Sequence, residues 1–265
     1  MRKTYKPLSV FAVTLMAVFL IAATGAFAHE MWVNADEPKD GVLNAVLGYG
    51  HTFPEPEAIA EDRLHIFKPL TLVAPSGSVE MEQKGEHPYD YQAKTDLKKG
   101  TVLVLGEYRP TFWSNGEGGW KQTDRKTRPD ATYVEEAIMY GKTILNIGGA
   151  MDEDLIAKPV GQRLEIVPQT NPAKLKAGEK FRVQVLVDGE PLKIAQVFAT
   201  FGGFSHDPEN TKAFVGKTDL RGMIDIIPLK HGYWYAKVTH KMPHADKTVA
   251  DEIVMASTLS FHIGQ

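Results

Sequence analysis

Short apolar runs alternate with turn residues along most of the chain. In the first half these runs cover residues 42–47, 64–67, 71–74, 101–108 and 111–113. Short runs rich in β-branched side chains and bounded by turn residues are typical of strands. Residues 143–147 are also predicted to be extended, whereas residues 131–140 fit either a short helix capped by Asp130 or a further strand.

The pattern after residue 160 predicts seven strands, at residues 163–167, 181–187, 196–201, 213–218, 223–227, 233–240 and 258–263. Asp188-Gly189 is a signal for a tight hairpin, and residues 219–222 form a predicted turn between the fourth and fifth of these strands. Phe181 and Val183 share one face of their strand with Val185 and Val187, as a sheet with one buried face requires. This count predicts an immunoglobulin-like or transthyretin-like β-sandwich.

The chain divides into three predicted parts. Arg2, Lys3 and Lys6 precede an apolar stretch that ends in Ala26-Phe27-Ala28, which is typical of a secretory signal peptide cleaved after Ala28. Residues 1–28 are therefore predicted as the signal peptide, residues 29–160 as an N-terminal β domain and residues 161–265 as the C-terminal sandwich, with a linker at residues 158–161. We expect an all-β protein of two β-sandwich domains in the periplasm.

Composition narrows the classes of function. The chain has 265 residues, with 23 Gly, 16 Pro and 9% aromatic residues, which favours a loop-rich β protein. It contains no Cys, so disulfides, thiolate nucleophiles, cysteine zinc sites and a lipid anchor on cysteine are excluded. Any bound metal must be held by nitrogen and oxygen atoms. The net charge of −3, with no basic patch, gives no indication of a nucleic-acid partner.

Cleavage after Ala28 would make His29 the first residue of the mature chain. Its free α-amine and its imidazole Nδ1 can then chelate one metal ion, because both groups lose their protons near neutral pH. A second histidine would complete a histidine brace, which suits Cu(II) or Ni(II). Histidine at this position by coincidence is the alternative. The next residue, Glu30, is a further candidate ligand, and Trp32 is expected to be buried and to order the terminal segment.

His51 is the second candidate ligand. It follows a predicted strand in the segment Gly48-Tyr49-Gly50-His51, where the glycines permit close backbone approach. The prolines in residues 53–57 stiffen the next loop, and Glu55 and Glu57 in that loop are lesser candidates as ligands or as acceptors for a histidine N–H. A loop histidine without a metal is the alternative interpretation.

Further candidates lie in the C-terminal half. His240 is a possible metal ligand at the end of an aromatic strand, and His244 lies four residues later, with Pro243 excluding a helix between them. His206, in a glycine-rich loop, and Glu252 are secondary candidates. The sequence contains no nucleophile elbow, P-loop, H-E-x-x-H motif or dinucleotide fingerprint, so we expect that the protein is not an enzyme.

Several segments together resemble a known family. The mature start His29-Glu30-Met31-Trp32, the Gly48–His51 segment and residues 158–168 are similar to periplasmic proteins with a domain of unknown function that accompany nickel and cobalt uptake systems, and residues 188–192, 218–222 and 232–240 extend the similarity. The resemblance implies an accessory protein of an energy-coupling-factor-type transporter that binds Ni(II) or Co(II) and presents the ion to the membrane permease. It implies metal-ligand roles for His29, Glu30 and His51, to which His240 is added.

Two other functions fit the same sequence. Cu(II) could fill the same brace in a copper carrier or an oxidative enzyme, because it outcompetes Ni(II) at most nitrogen sites. Alternatively, two β-sandwich domains could form a carbohydrate-binding or adhesion module with Trp113 and Trp120 as its platform, although tryptophans buried in that loop are the simpler interpretation.

Overall fold

The protein is almost entirely β. A computed structural model describes residues 29–207 and 211–264, so the predicted signal peptide lies outside the described residues. The strands are β1 (Glu30–Ala35), β2 (Val42–Gly50), β3 (Thr71–Ala74), β4 (Gly77–Glu80), β5 (Glu82–Gln83), β6 (Asp90–Lys94), β7 (Gly100–Asn115), β8 (Tyr133–Ile147), β9 (Leu164–Pro168), β10 (Phe181–Val187), β11 (Glu190–Pro191), β12 (Gln196–Phe201), β13 (Phe214–Lys217), β14 (Met223–Ile226), β15 (Gly232–Pro243) and β16 (Glu252–Ile263). Two short 3-10 helices, Glu61–Ile66 and Pro172–Lys174, complete the secondary structure of these residues, and neither is long and apolar enough to cross a membrane.

One eight-stranded sheet runs through the molecule, in the order β13-β12-β15-β16-β8-β7-β3-β4. Neighbouring strands are antiparallel except β16 and β8, which pair in parallel from Glu252 opposite Glu135 to Ser260 opposite Thr143. Since β8 precedes the predicted linker and β16 follows it, strands of both predicted domains join in this sheet. The boundary at residue 160 stays a prediction.

Smaller sheets cover the two faces of the large one. Strands β1, β2, β6 and β5 form a four-stranded sheet on one face, and β9, β10, β11 and β14 form the layer on the other. Successive residues of β8 point to opposite faces, as in any strand. Ala137 and Met139 accordingly join the core under the first layer, whereas Ile138 and Tyr140 join the core under the second. The prediction of an all-β, sandwich-type fold is confirmed.

Local patterns placed many strands correctly. The predictions for residues 71–74, 181–187 and 196–201 coincide with β3, β10 and β12, and the open choice for residues 131–140 resolves to strand. The two runs at 101–108 and 111–113 are one strand, β7, interrupted by a register shift between Tyr108 and Thr111. Phe181, Val183 and Val185 are fully buried, as their alternation predicted.

The strand predicted at residues 64–67 is wrong, because a 3-10 helix occupies Glu61–Ile66. Glu61 and Asp62 favour a helix start, since carboxylates stabilise the exposed N–H groups there. Ile66 and Phe67 are buried all the same, so the run fills the core from a helical turn rather than from a strand. The strand Glu30–Ala35 was not predicted as such, although the expected burial of Trp32 is confirmed.

A buried ion pair joins the large sheet to the second layer. Lys142 on β8 donates to Glu165 on β9, and both side chains are 1% exposed. Lys142 also donates to the Ile166 carbonyl at 3.2 Å, and burial lowers its pKa against the opposing effect of Glu165. The Glu165 carboxylate accepts the N–H groups of Val160 at 2.8 Å and Gly161 at 3.1 Å, so it also fixes the predicted linker.

We expect replacement of Glu165 and replacement of Lys142 to lower the free energy of unfolding by different amounts. Glu165→Leu leaves a buried ammonium with one carbonyl partner and should lower the free energy of unfolding by about 3–5 kcal/mol. Lys142→Met should cost less, because Glu165 keeps its two backbone N–H donors. Urea unfolding measures the free energy of unfolding of each single variant and of the double variant. The double variant should recover more than half of the stability that Glu165→Leu loses, because neither charge is then left buried alone. Equal losses in the two single variants would contradict this account.

Candidate metal centre

Strand pairing brings His29 and His51 together. In the antiparallel pair of β1 and β2, Glu30 lies opposite Gly50 and Met31 lies opposite Tyr49. The same register, continued by one residue, places His29 opposite His51. Directly opposed side chains of an antiparallel pair touch, and the two imidazole centroids are 4.2 Å apart. The His29 ring also stacks on its diagonal neighbour Tyr49, at 4.9 Å.

The loop after His51 brings in a carboxylate. It turns back so that the Glu57 N–H donates to the Tyr49 carbonyl at 2.9 Å. Glu57 Oε1 accepts the His51 backbone N–H at 2.9 Å and lies 2.7 Å from His51 Nδ1. Glu57 Oε2 lies 3.5 Å from His29 Nε2. One ligand atom from each of the three residues thus lies within 4.8 Å of the others.

The glycines of the Gly48–His51 segment have identifiable roles. A Cβ on Gly48 would overlap the indole of the fully buried Trp32. A Cβ on Gly50 would lie 2.9 Å from Glu57 Cγ and Oε1, which is too close without a shift. These positions therefore need glycine so that Trp32 can pack and the Glu57 carboxylate can reach the histidines.

Aromatic packing holds the loop in place. Phe53 is 5% exposed and packs against Trp32 at 5.8 Å and Tyr235 at 4.6 Å between ring centroids. Asn34 on β1 donates its side-chain amide to the Pro54 carbonyl at 2.9 Å. The loop is therefore fixed to β1 and to β15 of the large sheet, which pre-organises the ligand it carries.

The local electrostatics keep the donors ready for a cation. Burial lowers the pKa of His29, assisted by the charges of His51 and Arg63 and opposed by Glu57. Hydrogen bonds from the His51 side chain and backbone lower the pKa of Glu57. Near neutral pH, His29 is therefore a neutral imidazole with a free lone pair, and Glu57 is a carboxylate.

This set of donors suits a divalent transition metal. Imidazole nitrogens bind ions such as Co(II), Ni(II), Cu(II) and Zn(II), and a carboxylate adds negative charge. Metal–nitrogen bonds of about 2 Å put two donors of one ion at most about 4 Å apart. The three ligand atoms lie within 4.8 Å of one another, so small side-chain rotations would bring them to bonding distance of one ion. The side chains of His29, His51 and Glu57 are 30%, 30% and 47% exposed, which leaves further coordination positions open to solvent.

Glu30 lies apart from this cluster. It follows His29 on a strand, so its side chain points to the opposite side, towards β15. There its carboxylate accepts from the Tyr235 hydroxyl, lies 2.8 Å from Lys237 Nζ and 3.6 Å from Lys212 Nζ. It is 13% exposed, and although burial opposes ionisation, the two lysines keep its pKa below the usual value. Glu30 therefore anchors β1 to the large sheet.

His240 also lies elsewhere. It is on β15 five residues beyond Tyr235, which at about 3.3 Å per residue is roughly 17 Å along the strand. It pairs with Met255 across the sheet, and burial lowers its pKa while the nearby Asp188 opposes that shift. Within residues 29–207 and 211–264, His29, His51 and Glu57 form the one group of three such ligands.

The secondary candidates have other neighbours. His244 Nε2 lies 3.6 Å from Glu136, and its Nδ1 accepts the Asp246 N–H at 3.0 Å. Glu252 accepts the Tyr133 hydroxyl at 2.8 Å.

Two more candidates are in loops near the centre. Glu55 is exposed in the loop that carries Glu57. His206 is in the loop that follows β12, a loop whose Gly202 packs against Pro54. Neither joins the cluster of ligand atoms among the described residues.

The two tryptophans proposed as a sugar platform are engaged within the protein. Trp113 donates Nε1–H to the Tyr108 hydroxyl at 2.7 Å and lies under the Arg63 guanidinium. Trp120 packs edge-on against Tyr133 at 6.0 Å. Both side chains are half-buried, which favours a packing role.

Comparison with known proteins identifies a family but no activity. A family described as "Domain of unknown function (DUF4198)" matches residues 26–242. No curated protein matches the chain. One solved structure, native alpha-2-macroglobulin from Escherichia coli spanning domains MG0-NIE-MG1, is similar at 8% identity, over 86% of this chain and 96% of that chain, with a TM-score of 0.19.

Replacing Glu30 distinguishes an anchor from a ligand. Glu30→Gln removes the carboxylate that lies 2.8 Å from Lys237 Nζ and accepts the Tyr235 hydroxyl, so we expect the metal-free protein to lose on the order of 3 kcal/mol of unfolding free energy. Urea unfolding without metal measures this loss, with the exposed Glu55→Gln as control. An unchanged unfolding free energy combined with lost metal binding would instead make Glu30 a ligand.

Proposed function

The chain belongs to the DUF4198 family, and we propose that it is a periplasmic metal-binding protein that carries Ni(II) or Co(II) for a membrane transporter. The family description assigns no activity, so the proposal stands on the residues of this chain. The observation that carries it is the convergence of ligand atoms from His29, His51 and Glu57 within 4.8 Å.

The exposure of the centre supports a carrier role. Structural metal sites are closed by four protein ligands, whereas three ligands leave open positions. All three side chains here are between 30% and 47% exposed, so an ion held by them can be approached from solvent. A membrane permease can then supply further donors and accept the ion. We propose binding rather than catalysis, because the sequence carries none of the common catalytic motifs.

Copper is the second candidate. Cu(II) binds most nitrogen sites more tightly than Ni(II) or Co(II), and a histidine brace would hold it through the His29 amine and Nδ1. The contact of His29 with Glu57 is made through Nε2, at 3.5 Å. This geometry favours a site of two imidazoles and a carboxylate, which binds an ion without the α-amine.

Removing one ligand should abolish most of the affinity. We expect His51→Ala and Glu57→Gln each to weaken Ni(II) and Co(II) binding by more than the roughly 10–100-fold lost when a ligand's outer partner is removed. Calorimetric titration of protein processed to begin at His29 measures the affinity. His240→Ala is the matched control and should bind as the parent does. Unchanged binding in the first two variants would refute the proposed centre.

A single added residue tests the α-amine. Protein that begins at His29 and protein with one residue before it should bind Ni(II) with similar affinity, because the imidazole Nε2 faces the carboxylate in either form. Parallel titrations with Cu(II) complete the comparison. Tight binding that disappears in the extended protein would assign the amine to the site and favour the histidine brace.

A further inference from the structure

Arg63 lies beside the metal centre. It belongs to the 3-10 helix Glu61–Ile66, which follows the Glu57 loop and is followed directly by Phe67. Phe67 packs edge-on against Tyr49 at 5.2 Å, and Tyr49 stacks on His29 at 4.9 Å. Two ring contacts therefore tie this helix to the centre. The Arg63 charge reaches the same groups, since it helps to lower the pKa of His29 and opposes the burial that raises the pKa of Tyr49.

An aromatic ring holds the guanidinium of Arg63, and no ion pair within residues 29–207 and 211–264 includes it. It lies over the Trp113 ring, 5.4 Å from the centroid, and the Trp113 Nε1–H bond to the Tyr108 hydroxyl fixes that ring. In the part of the chain that the structure describes, the ion pairs nearest in sequence are those of Glu57 with the histidines and of Lys68 with Glu107, and none includes Arg63. Stacking on an aromatic face leaves the edge of the guanidinium available to an anion.

The charges around a bound ion call for an anion. A divalent ion held by the donors that the described residues supply, two neutral imidazoles and the Glu57 carboxylate, keeps one net positive charge, and Arg63 adds a second. Like charges in a partly buried site repel each other, which weakens the binding of a bare ion. An anion on the open side of the metal would satisfy both the ion and Arg63.

We propose that the centre takes its metal as a complex with a small organic carboxylate, and that Arg63 holds a carboxylate group of that ligand. This inference rests on the proposed function. A guanidinium matches a carboxylate with two parallel hydrogen bonds, a geometry that an ammonium does not reproduce. The remaining donors of the ligand stay on the metal, in the coordination positions that His29, His51 and Glu57 leave to solvent. Arg63 thereby selects the form in which the ion arrives.

Equilibrium dialysis with radiolabelled citrate and radiolabelled malonate tests the proposal. The parent protein, processed to begin at His29, should retain one of these carboxylates only when Ni(II) is present. Arg63→Gln should weaken that retention about tenfold, the effect of one charge-assisted bidentate contact, while free Ni(II) binds equally or more tightly. Arg63→Lys keeps the positive charge, so its retention of the carboxylate should lie between that of the parent and that of Arg63→Gln. Arg221→Gln removes an equal charge from an 80% exposed side chain in the 219–222 turn and should behave as the parent does.

The outcomes separate the two proposals. Ni(II) binding without retention of either carboxylate, or retention that is equal in the parent and Arg63→Gln, would overturn the role of Arg63 and leave the metal centre standing. Absence of Ni(II) binding in the parent would overturn the proposed function and this inference with it. Thermal unfolding of each variant shows whether the contact with Trp113 was needed for folding, and Arg63→Lys keeps the test decisive if Arg63→Gln is unstable.

Discussion

The parallel pairing of β8 and β16 is the constraint on which the rest of the molecule depends. It joins β16, which follows the predicted linker, to β8, which precedes the linker, and so makes one sheet from strands on both sides of it. Strand β1 packs across the paired strands β8 and β16. Thr258 on β16 donates its hydroxyl to the Met31 carbonyl at 2.7 Å, and Val33 packs where a Cβ on Gly141 of β8 would be, 3.1 Å away. Without the pairing of β8 and β16, β1 would lose this part of its packing surface, and a terminal segment with less packing frays more readily.

The candidate metal centre takes its geometry from this support. A slip of one residue between β1 and β2 would turn every β1 side chain to the other face. Glu30 opposes such a slip, because its carboxylate is bound by Tyr235 and Lys237 on β15 only when it points to the large sheet. Trp32 opposes it as well, since its indole fits only over Gly48. The positions of His29 and His51 are thus fixed by interactions that involve neither histidine.

Prediction from the sequence succeeded where the information is local. The alternation in β10 and the turn at residues 219–222 are local signals, and both are confirmed. The ligand roles of His29 and His51 come from their surroundings in the sequence and stay a prediction. Their convergence depends on the β1–β2 register, which no local pattern gives. For the same reason Glu57 could not be preferred to Glu55, because that choice depends on how the loop turns back to Tyr49. If residues 30–35 are recognised as a strand, the Glu30 side chain is predicted to point away from the His29 side chain, since neighbouring side chains of a strand point to different faces of the sheet.

The carboxylates of Glu30 and Glu57 illustrate how the fold sets the affinity of the candidate centre for a metal ion. Glu30 is paired with lysines on the side of the large sheet, so among the described residues Glu57 is the carboxylate that lies at the two histidines. A centre with both carboxylates would hold a divalent ion more tightly and release it more slowly. With Glu57 as the one carboxylate that the described residues contribute, we expect the affinity for a metal ion to depend on pre-organisation, because ligands already held in place lose little conformational freedom on binding. A rigid β scaffold with a weakly charged, open centre is therefore suited to an ion that must be bound and then given up.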